Sequence, residues 1–200
     1  MFSNAIYYEV YNIAWIKRFD FLNRFILCTP IKDMSKSKSR TANILDIDTG
    51  ISRENLKKIA NILNDDLADE YVLLTKTRNY HWNVEDPRFN DLHKFFEEQY
   101  EIMTASVDEI AERVRAVGGK TRATLKEFIN SSEIKEDVGS YPDADTMLGN
   151  LLTDHETIIK TLRKNIKECQ DLDDEGTANF LTDKMEGHEK MAWMLRSFIV

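Results

Sequence analysis

From Ser52 onward, apolar residues recur every three or four positions, the period of a helix with one buried face. Leu56, Ile59, Leu63, Leu67, Tyr71 and Leu74 trace a first stretch. It is opened by Ser52, whose hydroxyl suits an N-cap ahead of Arg53, Glu54 and Asn55. Phe89, Leu92, Phe96, Tyr100, Met103, Val107, Ile110, Val114 and Val117 trace a second, in eight consecutive steps of three or four residues. It stops at Gly118-Gly119, the residue type a helix C-terminus favours. A third runs from about Asp145 through Leu148, Leu151, Leu152, His155, Ile158, Ile159, Leu162, Ile166 and Cys169. A fourth follows Asp173-Asp174-Glu175-Gly176 through Leu181, Met185, His188, Ala192, Leu195 and Ile199. Four such helices, each ~35–40 Å long, must pack together to bury their stripes.

The connections predict the topology. Helices one and two meet at the short turn Asn83 to Arg88, so they are expected to be antiparallel neighbours. Helices two and three are separated by the long stretch Gly118 to Pro142, with a small amphipathic piece at Leu125, Phe128 and Ile129. That length suits a crossover along the bundle. The expected fold is all-α, a four-helix bundle of ferritin-like topology over residues 52–200, with a short helix in the crossover between helices two and three.

Residues 1–33 have a different character. Twenty of them are apolar, and they hold eight of the chain's twenty aromatics: Phe2, Tyr7, Tyr8, Tyr11, Trp15, Phe19, Phe21 and Phe25. Lys17, Arg18, Asp20 and Arg24 break every apolar run well short of the ~20 residues a membrane span needs. A secretory h-region is missing for the same reason. Met34 then opens a polar, basic stretch, Ser35 to Arg40, which reads as a cytoplasmic N-terminus and as the start of translation. The rival reading is a genuine extra segment that docks on a partner or a membrane surface. Residues 34–51 form a basic, flexible tail in either reading.

Composition narrows the class. Two Cys in 200 residues exclude a disulfide framework and point to a reducing compartment. With 27 basic against 35 acidic side chains, the net charge of −8 favours cations and opposes a broad nucleic-acid face. Lys36, Lys38 and Arg40 could still contact DNA, but against an acidic shell.

The candidate chemistry lies on the first two helices. His81 ends the first, in step with Leu67, Tyr71 and Leu74. On the second, His93, Glu97, Asp108 and Glu112 fall at about 0°, 40°, 60° and 100°, one strip beside the apolar stripe. Imidazole with carboxylates suits iron, manganese or zinc. His93 and Asp108, however, stand ~22 Å apart along the axis, whereas metal–ligand bonds are ~2 Å. Each end is therefore half a site. A two-fold-related copy of the helix, running antiparallel, would bring one chain's His93 end to the other's Asp108 end and complete two sites per pair. The competing reading is a solvated flank of acids beside a core histidine. No Glu-x-x-His motif exists, since Arg78, Asn90, Leu152 and Met185 precede the four His by three residues, which argues against an intra-bundle di-iron centre. His155 and His188, on the apolar stripes of helices three and four, are expected to be structural, and Cys169 to be core. Asp171, Asp173, Asp174 and Glu175 read as partners of a helix dipole, with a cation pore as the alternative.

His81-Trp82-Asn83-Val84, Phe89, Leu92-His93, Phe96-Glu97, Tyr100, Asp108-Glu109-Ile110-Ala111-Glu112-Arg113 and Gly118-Gly119 together resemble the signature of the Dps family, the mini-ferritins. The likeness continues through Ser140-Tyr141-Pro142, Asp174 to Thr182 and Trp193, covering Ile44 to Val200. The resemblance implies a hollow cytoplasmic dodecamer with a ferroxidase centre at each two-fold interface. His81, His93 and Glu97 of one subunit and Asp108 and Glu112 of its mate would bind Fe²⁺, with Trp82 beside them. Hydrogen peroxide, or dioxygen more slowly, would oxidise the iron, and Fe³⁺ would be stored as mineral. Two positions depart from the pattern. Glu97 stands where the family commonly has Asp, and Asp86 stands in a turn where it often has Gly; Asp tolerates left-handed geometry better than most residues, so the same fold is expected. Two other readings remain: a non-catalytic structural or DNA-compacting cage, and a monomeric metal hydrolase using His81 and His93.

Overall fold

The computed structural model describes residues 47–199, so the aromatic segment 1–33 and the basic Lys36, Lys38 and Arg40 lie outside the described residues. Among the described residues there are five helices and no strand: α1 (Arg53–Asn83), α2 (Phe89–Ala116), α3 (Leu125–Ser131), α4 (Ala144–Asp171) and α5 (Glu175–Arg196). These are the four long helices and the short crossover helix that the periodicity predicts.

The ends are set by side chains that satisfy the first unpaired backbone amides. Ser52 accepts from the Asn55 amide at 3.2 Å, Asp143 from Thr146 at 2.8 Å and Asp174 from Thr177 at 2.9 Å. Thr124 and Glu127 form a reciprocal capping box on α3. Asp174 is also buried and paired with Arg113 of α2 at 3.2 Å, while Asp171, Asp173 and Glu175 are exposed. One member of the acidic cluster is thus structural, as a cap and as a tie to α2.

α2 ends where Gly118 takes a φ of +85°, and the Gly119 amide bonds back to Val114 O at 2.9 Å. A Cβ on Gly119 would lie 2.6 Å from Ala60 Cβ, so its bareness lets the end of α2 close on α1. Gly119→Ala is expected to cost about 1–3 kcal/mol by overpacking, read as a lower urea midpoint.

α1 packs along α2, α4 packs along α5, and α3 lies on α1. Leu63, Phe96, Leu148 and Leu181, one from each long helix, are fully buried in the shared core. Cys169 is buried as expected, and burial pushes its thiol up to about 12. His155 and His188 are buried too, but not as isolated rings. His155 Nδ1 and His188 Nδ1 are 2.8 Å apart, and His188 Nε2 lies 2.8 Å from Glu70 Oε2.

Asp86 holds its turn without left-handed geometry. Among the described non-glycine residues only Asp173 is left-handed, at φ 65°. Asp86 turns the chain with its side chain instead, accepting from the Arg88 amide and Nε at 2.7 Å each. Those bonds hold its carboxyl down at about 2. Arg88 reaches on to Asp145 at 2.7 Å, fastening the α1–α2 turn to the start of α4.

Candidate metal centre

The short turn brings the end of α1 against the start of α2, and with them two imidazoles. The His81 and His93 rings stack, with centroids 3.7 Å apart and an angle of 19° between planes. Each Nδ1 lies 2.8 Å from the other residue's backbone carbonyl oxygen. A carbonyl only accepts, so each Nδ1 must carry the proton and donate. Both Nε2 atoms are then left with lone pairs, the form in which imidazole ligates a metal. The backbone thus sets both tautomers by reciprocal contact.

Around this pair the surroundings are mixed. Phe89 stacks on His93 at 5.0 Å, and Tyr100 meets His81 edge-on at 5.1 Å. The Tyr100 hydroxyl donates to Glu97 Oε1 at 3.2 Å, so Tyr100 links His81 to the carboxylate one turn beyond His93. Partial desolvation and the Glu97 carboxylate push the Tyr100 phenol up, which keeps it a donor. His81 is buried, His93 and Glu97 are half-buried, and Trp82 stands 70% exposed beside them.

Asp108 and Glu112 are exposed on the same helix, four turns further on. α2 runs unbroken between the two ends, so fifteen residues translate into ~22 Å. The structure therefore brings His81 and His93 together, connects Glu97 to them through Tyr100, and keeps Asp108 and Glu112 apart within one chain. Among the described residues of the single chain, no three His, Cys, Asp or Glu side chains are gathered to hold a metal.

Two features escape the sequence pattern. Tyr100 belongs to the apolar stripe, and nothing local marks its link to Glu97. Glu70 is only 2% exposed. It lies three residues after Leu67 and four before Leu74, so its place in the buried register was a usable signal.

A family model for the ferritin-like domain matches residues 60–200. A DNA protection during starvation protein of Bacillus anthracis is 41% identical over 144 residues, 72% of this chain and 97% of that relative. The chain belongs to the Dps family of the ferritin-like superfamily. A low temperature-induced protein of Nostoc sp. is 47% identical over 154 residues, covering 76% of this chain and 86% of its own. Among solved Dps structures, that from Bacillus brevis superposes with a TM-score of 0.72 at 34% identity, over 75% of this chain and all of its own. A Dps homologue from Halobacterium salinarum gives 0.75 at 28% identity, over 84% and 94%. No described helix is long and apolar enough to cross a membrane.

Proposed function

We propose that the chain is a cytoplasmic ferroxidase and iron store whose oxidation centre forms between two-fold-related subunits of a hollow dodecamer. The observation that carries this reading is the His81–His93 pair. Two imidazoles whose Nδ1 atoms are tied to backbone carbonyls, with one carboxylate linked through Tyr100, make an incomplete ligand set, while Asp108 and Glu112 offer two exposed carboxylates at the far end of the same helix. An isologous contact along α2 joins the two half-sets twice. Exposed Trp82 and half-exposed Phe89 give that contact an apolar component next to the ligands.

In the pair, Fe²⁺ is the substrate. His81 and His93 supply nitrogen donors that favour a transition metal over Mg²⁺ or Ca²⁺, and Glu97, Asp108 and Glu112 supply charge that favours the ferric product. Two ferrous ions each give one electron to a molecule of hydrogen peroxide, which takes up two protons and leaves as two waters; dioxygen serves as the slower oxidant. Ferric ions then pass into the hollow of the assembly and hydrolyse to mineral. Glu97, one methylene longer than Asp, reaches further from α2 and is steadied by Tyr100. Tyr100→Phe is expected to slow iron oxidation about tenfold without changing the size of the assembly, as loss of an outer partner to a ligand does.

The test is direct. Fe²⁺ and peroxide are mixed anaerobically and ferric absorbance is followed, while light scattering gives the mass of the same sample. A large assembly that oxidises iron is expected. A lone subunit that oxidises iron at the full rate overturns the inter-subunit centre, and an assembly with no oxidation leaves the structural cage. Several relatives are named for DNA protection, which makes DNA a candidate partner. The net charge of −8 opposes it, and any mobility shift at low salt is expected to vanish when residues 35–40, with Lys36, Lys38 and Arg40, are deleted.

A further inference from the structure

Away from the α2 strip, a cleft of ≈ 310 Å³ opens between α2 and α5. Its floor is Glu70 and His188, and its rim carries Glu109, Asp183 and Lys184. The floor is unusual in two respects. Glu70 Oε1 is buried with no well-formed hydrogen bond, although the Ser106 hydroxyl lies within reach of the carboxylate, and such a carboxylate oxygen is costly unless something polar arrives there. The other oxygen, Oε2, lies 2.8 Å from His188 Nε2. Two ligands bound at right angles to one ion at ~2.1 Å lie ~3 Å apart, so this pair already has the spacing of adjacent ligands.

We propose that the floor of this cleft binds a single divalent transition-metal ion through the Glu70 carboxylate and His188 Nε2, separately from the centre assigned above. His188 is oriented as a metal-bound imidazole usually is, with its second nitrogen engaged: Nδ1 is 2.8 Å from His155 Nδ1. Burial pushes the Glu70 carboxyl up, while His188, the Ser106 hydroxyl and Lys184 together bring it below the usual carboxylate range. When the ion binds, the His188 Nε2 proton leaves, the proton shared between the two Nδ1 atoms passes to His188, and His155 takes one proton on Nε2, so that both imidazoles stay neutral. Lys184, whose side chain is 14% exposed and paired with Glu109, contributes the positive charge at the rim. With two protein ligands at the floor, the other positions fall to water and, once Lys184 swings outward, to Asp183. This is one ion on a Glu–His pair, and it needs no Glu-x-x-His motif.

Co²⁺ is the probe, titrated into the assembled Asp108→Ala/Glu112→Ala protein and followed by ligand-field absorbance and equilibrium dialysis. One Co²⁺ per chain is expected to remain, with nitrogen ligation that survives further His81→Ala/His93→Ala substitution. His188→Gln and Glu70→Gln are each expected to weaken it at least tenfold, and Lys184→Ala to tighten it about tenfold by removing a like charge. Absence of that ion, or an affinity indifferent to His188→Gln, overturns the proposal. Should the two floor variants fail to assemble, Lys184→Ala decides alone, and an unchanged affinity overturns the site. Loss of iron oxidation in the Asp108→Ala/Glu112→Ala background bears only on the inter-subunit centre, so the two assignments fail independently.

Discussion

Co-assembly of His93→Ala chains with Asp108→Ala chains is expected to restore about a quarter of wild-type iron oxidation, although each variant alone has lost at least ~100-fold. The figure follows from symmetry. In a two-fold pair, each site takes its imidazoles from one chain and its distal carboxylates from the other. A pair of like variants therefore has two damaged sites. In a mixed pair, one site collects both lesions and the other collects none, so one site of two is intact. Random mixing makes half the pairs mixed, and half of a half is a quarter. An intra-chain site predicts no recovery at any mixing ratio. A solvated flank predicts that Asp108→Ala is fully active on its own. Denaturing and refolding the mixture, with mass spectrometry to confirm mixed assemblies, and then following ferric absorbance separates all three.

The parts of this fold that a linear pattern can carry were legible. The eight-step apolar stripe of α2 and its glycine stop predicted Phe89–Ala116 closely, because burial of one face and a left-handed end are both written in neighbouring residues. The distance between the His93 and Asp108 ends was legible for the same reason, since a straight helix converts residue number into length. The reciprocal His–carbonyl bonds were not. Their acceptors are backbone atoms twelve residues away, and a backbone carbonyl has no sequence signature. Asp86 shows a local solution that residue type alone did not single out. A known tolerance of Asp for left-handed geometry suggested one way to make the turn, while Arg88 two residues on offered its amide and guanidinium and made another way better. Glu70 sat in the buried register beside Tyr71, which also packs against the core, and residue type drew attention to Tyr71 alone. Its partners His188 and His155 come from α5 and α4, brought close only by the completed bundle.

The same limit hides the residue whose loss is expected to destabilise the bundle most for its polarity. Lys76 is on α1, where a lysine ordinarily reads as surface, yet its side chain is 6% exposed. Its ammonium donates to Asp154 Oδ2 of α4 at 2.8 Å and to the Lys135 carbonyl at 3.0 Å, with Asp137 Oδ2 at 3.8 Å. Asp137 in turn accepts from the Tyr80 hydroxyl, which also receives Asn150 Nδ2 at 3.0 Å. One buried cation thus ties α1, the crossover and α4 together. Lys76→Met keeps the length and the apolar stem but strands the Asp154 carboxylate, for an expected loss of about 3–5 kcal/mol at pH 7. The loss should depend on pH with a definite sign. Burial already raises the Asp154 pKa, with Lys76 opposing, so removing Lys76 raises it further. A carboxyl whose folded pKa lies above its unfolded value destabilises the fold fully above the folded pKa and not at all below the unfolded one, ~3.9. The gap between wild type and Lys76→Met in urea unfolding should therefore narrow as pH falls from 7 towards 4. Lys76→Met/Asp154→Leu should recover much of it at pH 7, since an apolar pair replaces a broken ionic one. A gap below about 1 kcal/mol that is constant with pH would mean the pair behaves as an exposed one, contrary to its burial.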